Sequence, residues 1–199
     1  MEKITRAELP ELFTSAAEMM AEKSEELAAM DAVMGDGDLG LTMKKGFSAL
    51  PGIVRELPEG DIGTAIAKAG MKLSSVIPST MGFLMGSGLM AGGKAVSGAE
   101  IIGAAEYAAF LRGFAEGIVK RGKCSPGDCT VLDAMDAAAD RAETLLRDKP
   151  GASLPDVAIA AKEGAFAGAE ATRHMTPRFG KAAVHQASSA GVMDQGAYA

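Results

Sequence analysis

Apolar residues recur at helical spacing along almost the whole chain, and no run alternates with the period of a strand. Ala16, Met19, Met20 and Leu27 share a face of a helix that Thr5 can cap and that reaches about Ala29. Leu41 to Leu50 reads as a second helix, ended by Pro51-Gly52. Asp61 can cap a third, through Val76, with Ile62, Ile66, Ala69, Leu73 and Val76 on one face. Pro78-Ser79-Thr80 interrupts it, and an apolar helix follows from about Met81 to Ala91, closed by Gly92-Gly93. Ser97 to Arg121 carries Ile101, Ala105, Ala108, Leu111, Ala115 and Ile118, a long amphipathic pattern. A loop over Gly122 to Asp128 precedes a helix from Cys129 to Lys149, and Pro150-Gly151 separates that from a helix over Leu154 to His174. The tail from Met175 is richer in Gly, Ser and polar residues. The expected fold is all-α, with antiparallel neighbours joined by short loops.

Length and composition make this one domain over residues 1–199, globular rather than disordered, with 48% apolar residues. Trp is absent and Phe and Tyr are few, so Ala, Leu, Ile, Val and 13 Met residues must fill the core. A net charge of −6 argues against general affinity for nucleic acid or for an anionic membrane. No stretch is long and apolar enough to span a bilayer. Cys124 and Cys129 lack a second Cys or His pair, which argues against zinc and suits a reducing cytoplasm.

The candidate chemistry lies in Asp31-Ala-Val-Met-Gly-Asp36-Gly-Asp38-Leu-Gly40, between two helix-forming runs. Carboxylates this close repel one another and are seldom placed together in an ordered loop without a cation; hard oxygen ligands suit Mg²⁺ or Ca²⁺. The alternative is a solvated Asp/Gly turn. An EF-hand is excluded, because Gly40 stands where a further alternate ligand belongs and the closing Glu is missing. The P-loop signature is absent, and Gly86-Ser-Gly88-Leu-Met-Ala91 follows no strand, so it reads as helix packing rather than a dinucleotide fingerprint. Gly127-Asp128-Cys129-Thr130 and Pro78-Ser79-Thr80 are helix starts that can receive phosphate oxygens or serve as ordinary caps. Arg173, Arg178 and Lys181 bring cations to the tail, while His174 and His185 read as capping or surface residues.

Taken in order, these segments resemble the nucleotide-binding L subunit of dihydroxyacetone kinase. The resemblance is carried by the acidic loop with Gly40-Leu-Thr-Met-Lys-Lys-Gly-Phe47, Asp61-Ile-Gly63, Gly70-Met71, and Leu73-Ser-Ser-Val76. It continues in Gly122-Lys123, Pro126-Gly127-Asp128, Thr130, Asp133, Gly168-Ala-Glu-Ala-Thr172 and Gly191-x-x-Asp194-x-Gly196-Ala197. It implies an antiparallel barrel of about eight amphipathic helices that holds ADP or ATP and two Mg²⁺ at one end. By resemblance Asp31, Asp36 and Asp38 are metal ligands. Leu39, Gly40, Leu41 and Thr42 line the phosphates, with Thr80 and Met81 beside them. Gly122 and Val131 flank the adenine, and Lys181, Asp194, Gln195 and Gly196 come from the tail. Lys181 is the catalytic cation. The chain departs from the family pattern at Leu39, Thr42, Pro78, Met81, Lys181 and Val192. The implied partners are a ketose-binding K subunit and, in systems where ADP is recharged in place, a phosphocarrier of the phosphotransferase system. A nucleotide-sensing regulatory subunit without turnover is the alternative.

Overall fold

A computed structural model describes residues 2–184 and 190–199. Among these residues nine α-helices make up almost all regular structure: α1 (Leu9–Glu22), α2 (Ser24–Met34), α3 (Leu39–Arg55), α4 (Ile62–Val76), α5 (Thr80–Ala95), α6 (Ala104–Gly122), α7 (Val131–Asp148), α8 (Leu154–Ala171) and α9 (Gln195–Tyr198). The all-α expectation holds, and successive helices from α3 to α8 pack on one another. Leu50, Leu73, Ile118 and Leu132 are fully buried in a core shared by α1 to α7. A second cluster of Ala138, Ala139, Ala142, Val157 and Ala161 with Leu111 joins α6, α7 and α8. Among the described residues no helix is long and apolar enough to cross a membrane. His185 lies outside the described residues.

Several boundaries differ from the sequence reading, each for a physical reason. Ile4–Thr5 (β1) pairs antiparallel with Ile101–Ile102 (β2), and two-residue strands are too short to show alternation. This pair displaces the start of α6 to Ala104. The first helix breaks at Lys23, and its continuation α2 runs on to Met34, so Asp31 is a helical residue rather than a loop residue. Pro51-Gly52 does not end α3: Pro51 is buried within it, and packing of the apolar face outweighs the lost backbone bond. Gly92-Gly93 does not end α5 either. A Cβ on Gly92 would lie 2.7 Å from the Phe110 carbonyl oxygen, and one on Gly93 2.5 Å from that of Gly63. These glycines permit close approach of α4, α5 and α6. Thr172–His174 forms a 3-10 turn after α8.

Gly63 is a direct test of this packing. A Cβ there would meet the carbonyl oxygens of Val96 and Gly93, which are backbone atoms that cannot rotate aside. Gly63→Ala is expected to cost about 3 kcal/mol by overpacking. Urea unfolding should show a lower midpoint with unchanged slope.

Asp61 caps α4. Its carboxylate accepts from the Thr64 amide at 2.8 Å, the Thr64 hydroxyl at 2.6 Å and the Gly98 amide at 3.0 Å, and these bonds hold its pKa down to about 2. A depressed carboxylate stabilises the fold above its unfolded value of 3.8, and that contribution is lost as pH falls toward 2. Asp61→Ala should therefore destabilise by about 1 kcal/mol near neutral pH. The gap to wild type should narrow in acid melts below the unfolded value.

Candidate functional site

One end of the bundle gathers a cavity of about 330 Å³. Three long helices begin there. Leu39 and Thr42 come from the first turn of α3, Thr80 and Met81 from that of α5, and Val131 from that of α7, while short α9 adds Gln195 and Gly196. Helix N-termini carry orphan amides and a positive dipole end. The Ser79 hydroxyl accepts from Gly82 at 3.1 Å, and the Thr130 hydroxyl accepts from Leu132 at 3.2 Å. These caps serve amides beyond the first helical position. The site thus combines several anion-attracting helix ends with three carboxylates, an arrangement that suits an anion bridged by a cation.

The carboxylates are placed by the α2–α3 corner. Asp31 lies in the last turn of α2, at its negative dipole end, and is buried. Its Oδ2 accepts from the amides of Asp38 at 3.1 Å and Leu39 at 3.4 Å, and its Oδ1 accepts from Gln195 Nε2 at 3.2 Å. Asp36 and Asp38 are exposed, and one ligand atom from each of the three residues lies within 4.8 Å of the others. Asp38 occupies the N-cap of α3 without capping it, which leaves its carboxylate for other use. Gly37 has φ +75°, a left-handed turn that brings Asp36 and Asp38 back over Asp31. Lys181 pairs with Asp36, and this bond, with the Asp38 and Asp31 charges, raises its pKa, so the ammonium stays charged through neutral pH. A cation of the chain itself thus sits among the carboxylates. The donor set is all hard oxygen, and it fits Mg²⁺.

The opposite wall is the loop before α7. Asp133 accepts from Thr130 at 2.7 Å and from Gly127 at 2.5 Å, fixing the turn in which Cys129 adopts φ +60°. Burial pushes the Cys129 thiol up to about 12, so it is an inert wall atom rather than a nucleophile. Asp194 is buried as the cap of α9, accepting from Ala197 at 2.7 Å. Burial raises it to about 6, and the charges of Asp133 and Asp31 act in the same direction.

Of the residues that the resemblance assigns to the site, Asp31, Asp36, Asp38, Leu39, Thr42, Thr80, Met81, Val131, Lys181, Asp194, Gln195 and Gly196 all line this cavity. Three do not. Gly40 faces α2, where a Cβ would collide with the Ser24 carbonyl oxygen; Leu41 points outward and is exposed; Gly122 ends α6 against Leu84 and Cys124. Sequence reasoning missed Leu84, Phe179, Gly180 and Ala182, which also line it. Leu84 follows Thr80 by one helical turn, a signal that was readable; the tail residues carried none.

Comparisons with known proteins agree with the all-α fold. The DAK2 domain family matches residues 33–199. The chain is 28% identical over 194 residues to the ADP-binding subunit DhaL of the PEP-dependent dihydroxyacetone kinase of Escherichia coli, covering 98% of this chain and 91% of that one. It is 33% identical over 187 residues to a D-erythrulose kinase of Mycolicibacterium smegmatis, covering 93% of this chain but 32% of the relative. The dihydroxyacetone kinase of C. freundii, solved with AMP-PNP and Mg²⁺, superposes with a TM-score of 0.69 at 25% identity, over 96% of this chain and 32% of that one. The chain thus spans nearly all of the subunit-type relative and about a third of the longer kinases.

Proposed function

Because the chain belongs to the DAK2 domain family, we propose that it is the ADP- or ATP-binding, Mg²⁺-dependent subunit of a dihydroxyacetone-kinase-like system. It transfers a phosphoryl group to dihydroxyacetone or a related ketose held on a separate K subunit. The observation that carries this reading is the convergence of Asp31, Asp36, Asp38, Lys181 and three long-helix N-termini on one cavity. The near-complete coverage of a relative that is itself an ADP-binding subunit supports the division of labour between chains. That relative is PEP-dependent, which supports a phosphocarrier as a further partner where ADP stays bound and is recharged.

Asp31, Asp36 and Asp38 would hold two Mg²⁺. When bound, the metal neutralises phosphate charge and polarises the phosphoryl oxygens. The remaining roles belong to the chain. The first-turn amides of α3, α5 and α7 orient the phosphate oxygens, and Thr42 and Thr80 add hydroxyl donors. Leu39, Met81, Leu84 and Val131 form an apolar wall that can cover the nucleoside and exclude water. Lys181 supplies positive charge where it develops on the transferring group. Gln195 orients Asp31.

Incubation with a K subunit and ketose, with either ATP or a charged phosphocarrier as donor, tests the reading. Ketose phosphate is the expected product. Nucleotide binding without turnover under both donors would instead identify a nucleotide-sensing regulatory subunit. Failure to bind nucleotide at all would overturn both.

A further inference from the structure

Phe179, Gly180, Lys181 and Ala182 form one wall of the cavity, although they lie outside the α-helices, between the turn at His174 and α9. A segment outside the helices needs a fastening if it is to hold a fixed geometry. Arg178 supplies one. Its backbone N–H donates to the Asp128 carbonyl at 3.2 Å, and its guanidinium pairs with Asp128 Oδ1 at 3.3 Å. The two sides of this contact are unequal: the Arg178 side chain is 71% exposed and that of Asp128 only 9%. Asp128 is itself held in place, because its Oδ2 accepts from the Ser125 amide at 2.7 Å. The residues that follow it, Cys129, Thr130 and Val131, are the facing wall of the same cavity.

We propose that Arg178 is a positioning residue: by fastening the 178–184 strap to Asp128, it presents Lys181 and the Phe179–Ala182 wall to the bound nucleotide. The inference rests on the nucleotide-site reading given above. Lys181 follows Arg178 by three residues, so a fixed Arg178 confines the Lys181 backbone to an arc of about 10 Å. Gly180, at φ +67°, makes the bend between them that turns Lys181 toward Asp36. Lys181 by itself is a weaker anchor, since its partner Asp36 belongs to the carboxylate cluster that a divalent cation would occupy. Arg178 contacts Asp128, outside that cluster, and keeps its hold when the cation arrives.

An isolated exposed ion pair would contribute almost nothing. Here the backbone bond fixes register and the buried, preset carboxylate fixes direction, so the effect falls on the strap rather than on global stability. Full-length Arg178→Ala, Arg178→Lys and Asp128→Asn test this by hydrogen exchange without ligand and by ADP release with Mg²⁺. In Arg178→Ala, strap amides should exchange about tenfold faster while α7 amides do not. ADP should leave about tenfold faster, and Arg178→Lys should restore most of the difference. Asp128→Asn should act in the same direction, and adding it to Arg178→Ala should bring little further change. Wild-type exchange and wild-type ADP release in Arg178→Ala would overturn the proposal, as would faster exchange spread through α7. If wild type itself binds no ADP, the nucleotide reading fails; strap exchange still decides the fastening by Arg178 independently.

Discussion

Asp36→Asn and Asp38→Asn are each expected to weaken Mg²⁺-dependent ADP binding by about 100-fold, because ligand charge count sets cation affinity over orders of magnitude. Each change removes one negative ligand from the cluster and keeps the size of the side chain. The free protein should not suffer. Both residues are exposed, so the apo melting temperature should stay close to that of wild type, with a small loss in Asp36→Asn from its broken pair with Lys181. Asp36→Asn also takes the charged partner from Lys181, so the two variants separate ligand loss from strap loss. Calorimetric titration with and without Mg²⁺ measures the effect. Equal ADP affinity in the presence and absence of the metal would remove the carboxylates from the nucleotide site. Bound ADP should raise the wild-type melting temperature by mass action, and that rise should vanish in both variants.

Lys181→Ala is expected to lower turnover by about 10²–10³ with a K subunit and saturating donor, as for a donor that acts mainly in the transition state. ADP affinity should change far less. Lys is a compact charge with rotatable donors, whereas Arg can hold two phosphoryl oxygens at once. Lys181→Arg should therefore keep or raise the rate. Unchanged turnover in Lys181→Ala would exclude it from the reaction.

The acidic loop was legible because its chemistry is local. Three carboxylates and three glycines within ten residues are an unusual combination for an ordered corner. What could not be read was that Asp31 belongs to α2, or that Gln195 reaches it from 164 positions away along the chain. Helix periodicity located α3 to α8 but read α1 and α2 as one helix and misjudged the ends. Gly92-Gly93 and Pro51-Gly52 look like punctuation in a window of neighbours, yet their surroundings are other helices. A glycine that ends a helix and a glycine that lets two helices touch have the same local sequence signal.

By itself the sequence determined the helical class, the order of the helices, the acidic cluster and the hydroxyl-bearing helix starts, because these follow from spacing within about one turn. Spacing alone could not say which helix ends share a cavity; the resemblance implied it, and the tertiary structure brings the starts of α3, α5, α7 and α9, far apart along the chain, to one place. It also decided that Gly40 serves contact between α2 and α3 and that Leu41 faces outward, although both stand beside Leu39, which lines the cavity. Rotation about the helix axis, by 100° per residue, separates neighbours in sequence onto different surfaces. Which surface meets the cavity is set by how α3 packs on its neighbours, information that resides in the whole core and not in any short segment.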